Sequence, residues 1–79
     1  MQIHLTYYAS LREQRGTDHE TIELGGISLR ALYRQLAETY RFSYTEEHIR
    51  PAVNDEFIPW DRPLDDGDRV VFVSPVSGG

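Results

Sequence analysis

The sequence predicts an α+β fold in which a mixed sheet of four to five strands carries one main helix on one face. Three observations point there: alternation of period two at the start, a single strong helical repeat in the middle, and a short, almost wholly apolar run near the end. With 79 residues there is sequence for one hydrophobic core only. No cysteine is present, so neither a disulfide nor thiolate-held zinc can staple the fold, and packing alone must hold it.

Residues 2–8 alternate Ile3, Leu5 and Tyr7 against His4, Thr6 and Tyr8, the period of a strand with one face buried. In ASLREQRG, Ser10 and Glu13 have capping-box spacing, and Gly16 suits the left-handed stop of a short helical turn. HETIEL puts Glu20, Ile22 and Leu24 on one parity, a second strand returning antiparallel to the first and bounded by Gly25 and Gly26. Ser28 can cap the main helix, whose Leu29, Leu32, Tyr33, Leu36 and Tyr40 recur at spacings of three and four. Residues 41–49 read as irregular. A short strand is expected over residues 52–54, with Asn54 and Asp55 as turn formers before Phe57 and Ile58. Pro59 and Pro63 keep PWDRPL out of a sheet centre, while residues 70–73, VVFV, read as a strand with neighbours on both sides. A right-handed crossover sets the last strand beside and parallel to the first, which is the β-grasp layout.

One helix covers one face of such a sheet. Parity then sends Tyr8, Val71 and Val73, with Phe57 past its turn, to the other face. Scattered apolar residues on an open sheet are ordinary; the alternative is a docking patch beside the exit of the last strand. Trp60 is either a rim anchor or a cover for the core. His4, His19 and His48 are far apart with no ligand spacing, so no metal site is expected, and the acids around Gly67 read as a turn rather than a calcium loop.

The net charge of -5, from thirteen acids against eight arginines, argues against a nucleic-acid partner, and lysine is absent, so no ε-amino group is available for Schiff-base or isopeptide chemistry. No apolar stretch could span a bilayer, and Met1 leads straight into strand-like sequence, so the expectation is a cytoplasmic protein without membrane partners. The chain divides into a domain over residues 1–74 and a tail of Pro75, Val76, Ser77, Gly78 and Gly79. Five extended residues reach about 17 Å, and Gly78 and Gly79 carry no Cβ, so a narrow channel can close on bare backbone there. A terminal carboxylate is ionised at neutral pH and resists nucleophiles until activated. ATP can activate it as an acyl-adenylate, after which a sulfur donor displaces AMP and leaves a thiocarboxylate on Gly79. On this reading Gly79 is the reacting group and the folded body has no catalytic pocket.

YYASLRE at residues 7–13, the Ser28-Leu29 helix start, AVN at 52–54, LDDGD at 64–68 and the terminal PVSGG together resemble the small subunit of molybdopterin synthase (molybdopterin converting factor subunit 1), a family of ubiquitin-like sulfur carriers. The likeness spans the whole chain. It implies that an adenylating enzyme related to ubiquitin-activating enzymes activates Gly79 with ATP and magnesium, that a sulfur donor enzyme completes the thiocarboxylate, and that no cofactor is bound by this chain itself. Two carriers are then expected on a dimer of the large subunit, a heterotetramer, delivering sulfur to cyclic pyranopterin monophosphate to build the molybdopterin dithiolene. By position Tyr8, Phe57 and Val73 match the family's apolar partner contacts, Val71 lies beside them, and Arg12 matches a basic position facing the activating enzyme. Ser74 stands where relatives often carry a proline, and Arg69 where they often carry an acid. Other readings stay open from the residues: a sulfur carrier for thiazole or tRNA thiolation, a ubiquitin-like protein modifier, or a plain binding module.

Overall fold

A computed structural model of the chain describes residues 1–74; the expectations for Pro75, Val76, Ser77, Gly78 and Gly79 lie outside the described residues. Strand β1 (Gln2–Tyr7) starts the sheet with Ile3, Leu5 and Tyr7 inward, as its alternation requires. A short helix α1 (Ala9–Arg15) leads to β2 (His19–Glu23), and the main helix α2 (Leu29–Tyr40) follows. A 3₁₀ turn (Glu46–His48), β3 (Arg50–Val53), β4 (Glu56–Phe57) and β5 (Arg69–Val73) complete the chain. The strand order is β2-β1-β5-β3-β4, with β5 at the centre. β1 and β5 run parallel, Leu5 opposite Val70 and Tyr7 opposite Phe72, while β2 and β3 are antiparallel to their neighbours. The result is the expected β-grasp arrangement, a mixed five-stranded sheet with the main helix on one face.

Helix α2 begins where Ser28 Oγ accepts the Ala31 N–H at 3.1 Å, and its buried Leu29, Leu32, Tyr33 and Leu36 form the stripe that covers the sheet. Tyr33 packs edge-on to Phe72 of the central strand, ring centroids 5.0 Å apart. Trp60 covers the core rather than anchoring a rim. Its ring stacks on Phe72, and its indole N–H donates to the Glu46 carbonyl at 3.1 Å. Asn54 and Asp55 both take positive φ, 51° and 73°, closing β3 onto β4 in a two-residue turn.

Three local expectations need correction. Helix α1 is not closed by a Ser10/Glu13 capping box: its N-cap is the extended Tyr8, without a side-chain cap, and the Tyr8 carbonyl accepts from Leu11 and Arg12. A capping box needs Ser10 at the N-cap, and here the helix has already begun at Ala9. Strand β3 starts at Arg50, two residues earlier than expected, and ends at Val53, because pairing with β5 extends it back to Arg50 opposite Val73. The stretch 41–49, expected to be irregular throughout, contains the 3₁₀ turn, and it contributes the buried Phe42 and Ile49 to the core.

Before β5, Asp68 is only 5 % exposed and organises the turn. Its carboxylate accepts from the Asp65 N–H at 2.8 Å, Asn54 Nδ2 at 3.0 Å and an Arg62 guanidinium N–H at 3.1 Å. Burial alone would raise its pKa; those hydrogen bonds and the Arg62 charge outweigh it and hold the carboxyl below its ordinary value. Asp66 accepts the Gln2 N–H, and Gly67, at φ 86°, donates to the Gln2 carbonyl, so the turn ties the start of β5 to the start of β1.

Candidate docking face and strand exit

The sheet face away from α2 is built rung by rung from the register. One rung runs His19, Thr6, Val71, Ala52 and Phe57. On the next, Arg50 faces Val73, and Tyr8, one residue beyond the Tyr7–Phe72 pair, lies at the same level. Tyr8 and Phe57 are the exposed large apolar residues among those described, each 56 % exposed, with Val71 and Val73 half-buried between them. The structure therefore brings together the four apolar residues expected there from parity, at the end of the sheet where β5 passes into Ser74. Arg12 sits one helical turn beyond Tyr8 on α1 and is exposed. It forms no ion pair with Glu13 or any other described acid.

Helix α1, and with it Tyr8 and Arg12, is held by a polar cluster at its far end. Arg15 grips both Glu20 oxygens at 2.9 Å, Tyr7 Oη donates to Glu20 at 2.7 Å, and the Arg15 guanidinium lies 4.1 Å above the Tyr40 ring. Arg15 is the main reason the Glu20 carboxyl is held below its ordinary pKa; burial, then the Glu20 hydrogen bond, pushes the Tyr7 phenol well above its own. Both groups stay in one charge state across the physiological range, so this clamp does not titrate.

Arg50 was not foreseen from the sequence. Its guanidinium lies 4.1 Å over the Phe57 ring, joining the β3 start to the β4 tip across the open face. The signal was present, since Arg50 shares parity with Ala52, but it becomes readable only once β3 is extended back to residue 50. Among the described residues no group of three His, Cys, Asp or Glu side chains could hold a metal ion, and no helix is long and apolar enough to cross a membrane. What this arrangement can do is bind: it presents an apolar strip with cations at its corners, next to the point where the chain leaves the sheet.

The fold is that of a small β-grasp protein with an exposed apolar strip at the exit of its central strand. Residues 5–79 match the ThiS family, and the chain belongs to it. Over 80 residues it is 31 % identical to the molybdopterin synthase sulfur carrier subunit of Escherichia coli (strain K12), covering 98 % of this chain and 99 % of that one. It is 32 % identical over 90 residues to the protein of the same description from Chlamydomonas reinhardtii, covering the whole of both. Among solved structures, molybdopterin converting factor subunit 1 from Pyrococcus furiosus superposes with a TM-score of 0.81 at 31 % identity, covering 96 % of this chain and 99 % of that one. SAMP1 from Haloferax volcanii, at TM-score 0.81, 19 % identity and full coverage of both chains, shares the fold. So does one chain of a complex of subunits 1 and 2 of the molybdopterin-converting factor from Helicobacter pylori, at TM-score 0.70 and 24 % identity, covering the whole of this chain and of that one.

Proposed function

We propose that this chain is the sulfur-carrier subunit of a cytoplasmic molybdopterin synthase. The observation that carries the reading is the full-length identity of 31–32 % to two proteins of that description. The apolar strip at the β5 exit, immediately before a sequence that ends in Gly78 and Gly79, supports it. In this reading the Gly79 carboxylate attacks the α-phosphorus of ATP on a partner enzyme, releasing pyrophosphate and forming the acyl-adenylate. A reduced sulfur donor then adds to the acyl carbon, AMP leaves, and a thiocarboxylate remains. ATP and magnesium belong to the activating enzyme's site, and this chain holds no cofactor of its own.

The large subunit, in a two-plus-two assembly, receives the tail: Tyr8, Phe57, Val71 and Val73 bury against it, and glycine at the last two positions lets a narrow channel close on the backbone. Sulfur passes to cyclic pyranopterin monophosphate, one atom per carrier, to form the dithiolene. Incubation with the activating enzyme, ATP and the sulfur donor is expected to raise the intact mass by one oxygen-to-sulfur exchange at Gly79. Adding the large subunit and the pyranopterin is then expected to yield molybdopterin. An unchanged mass, under conditions in which the same enzyme charges a known carrier, refutes the assignment. A charged carrier that yields no molybdopterin moves it to another thiolation pathway.

A further inference from the structure

Five of the eight arginines are already matched within this chain. Arg15 pairs with Glu20, Arg30 with Glu46 and Asp61, Arg34 with Glu46, Arg62 with Asp68, and Arg69 with Asp55. The side chains of Arg12, Arg41 and Arg50 have no carboxylate partner among the described residues, although the chain carries thirteen acids, and of these three Arg50 is the one that lies over an aromatic ring. It is nonetheless not a loose surface cation. Its guanidinium carbon lies 4.1 Å over the Phe57 ring, which holds the charge in place, and the antiparallel pairing with Val73 fixes its backbone. Beside it a groove of about 300 Å³ is lined by Ile49, Pro51, Phe57, Ile58 and Trp60, and Arg50 is the one charge in that lining.

A protein that covers Phe57 and Val73 necessarily covers Arg50. No described acceptor takes the guanidinium N–H donors of Arg50, so its planar fork is available to a two-pronged carboxylate beside the Phe57 ring. Covering those donors without an acceptor would strand a charge in a low-dielectric rim, at a cost exceeding the gain from the nearby apolar burial. We propose that Arg50 is a specificity-determining residue of docking: it takes a carboxylate side chain of the large subunit at the edge of the Phe57 ring, an acid flanked there by an apolar side chain that enters the adjoining groove. This deepens the carrier reading and rests on it. Arg50 is also a positive charge on a chain of net charge -5, so an acid seated there would meet an attraction opposed to the net charge.

The test is the affinity of the full chain for the large subunit, measured by titration calorimetry at low salt and at about 0.5 M NaCl, with thermal unfolding run on every variant as a fold control. For R50Q an affinity loss of about tenfold is expected at low salt, with a shallower salt dependence than wild type. R50E is expected to lose about a hundredfold, and R50K, which keeps the charge but not the planar fork, to fall between wild type and R50Q. A purely structural role for the Arg50–Phe57 stack would lower stability without changing the salt slope. If R50E binds as tightly as wild type, or if R50Q keeps the wild-type salt slope, Arg50 has no such role while the carrier assignment stands. If wild type itself does not bind the large subunit, the carrier reading and this inference fall together.

Discussion

Replacing Asp68 by asparagine tests whether a buried charge sets the origin of the central strand. The Asp68 carboxylate accepts three hydrogen bonds at 2.8–3.1 Å, from the Asp65 N–H, Asn54 and Arg62, and is 5 % exposed. A carboxamide has one acceptor oxygen, so its amide end faces either the Asp65 N–H and Arg62 or Asn54 Nδ2, and at least one buried donor loses its partner. Each hydrogen bond to a charged group contributes about 1.5–3 kcal/mol, partly offset by the relief of no longer burying a carboxylate. The net loss is expected at about 2–3 kcal/mol, a fall in Tm of about 10–20 °C for a domain of this size. Urea and thermal unfolding at pH 7 measure it. Because the folded pKa of Asp68 lies below its unfolded value, the stabilisation is complete above the ordinary carboxylate pKa and is lost as pH falls through the folded one. The gap between wild type and D68N should therefore narrow on acidification. A D68N domain within about 0.5 kcal/mol of wild type at pH 7, or a gap that does not change with pH, refutes the argument that the charge organises this turn.

Truncating the exposed Tyr8 or Phe57 to alanine should weaken large-subunit binding by about tenfold or more with unfolding free energy within about 0.5 kcal/mol of wild type, as calorimetry and urea titration would show; equal losses in both would mean these rings serve the fold. Deleting Gly78 and Gly79 should abolish thiocarboxylate formation by intact mass while leaving Tm unchanged, since the described core lies entirely before them. The Tyr33 hydroxyl donates to the Tyr44 carbonyl and burial pushes its pKa up to about 12, so Y33F should cost about 1 kcal/mol. Wild-type stability should fall as pH rises from the ordinary tyrosine pKa toward that value, and Y33F should lack this component in alkaline unfolding curves.

The parts of the molecule that could be read from the sequence are those in which periodicity and burial coincide. Ile3, Leu5 and Tyr7 alternate because one face of β1 is buried, and the α2 stripe shows its pitch because the helix lies on a flat sheet. The placing of Tyr8, Val71 and Val73 on the face away from α2 followed from the same parity, and that of Phe57 from the turn before it. Where tertiary pairing overrides local signal, the reading failed. Arg50 and Pro51 do not look like strand residues, yet β5 pairs with both. Phe42 and Ile49 reach the core without any repeat, Phe42 by packing among the rings of Tyr7, Tyr33 and Tyr40. Ser10 and Glu13 carry the spacing of a cap, but the actual N-cap is Tyr8, two residues before Ser10. Arg50 was missed for the first of these reasons, because a strand begun two residues late conceals which way its earlier side chains point.

Since β1 and β5 share a direction, Gln2 and the Asp66–Gly67 bend occupy one pole of the domain, while Tyr8 and Ser74 occupy the other, about 20 Å away. An affinity handle or fluorophore attached ahead of Met1 therefore emerges at the pole remote from Tyr8 and Ser74, and leaves the apolar strip there uncovered. On the proposed reading, the same label attached after Gly79 would turn the carboxylate that has to be adenylated into an amide.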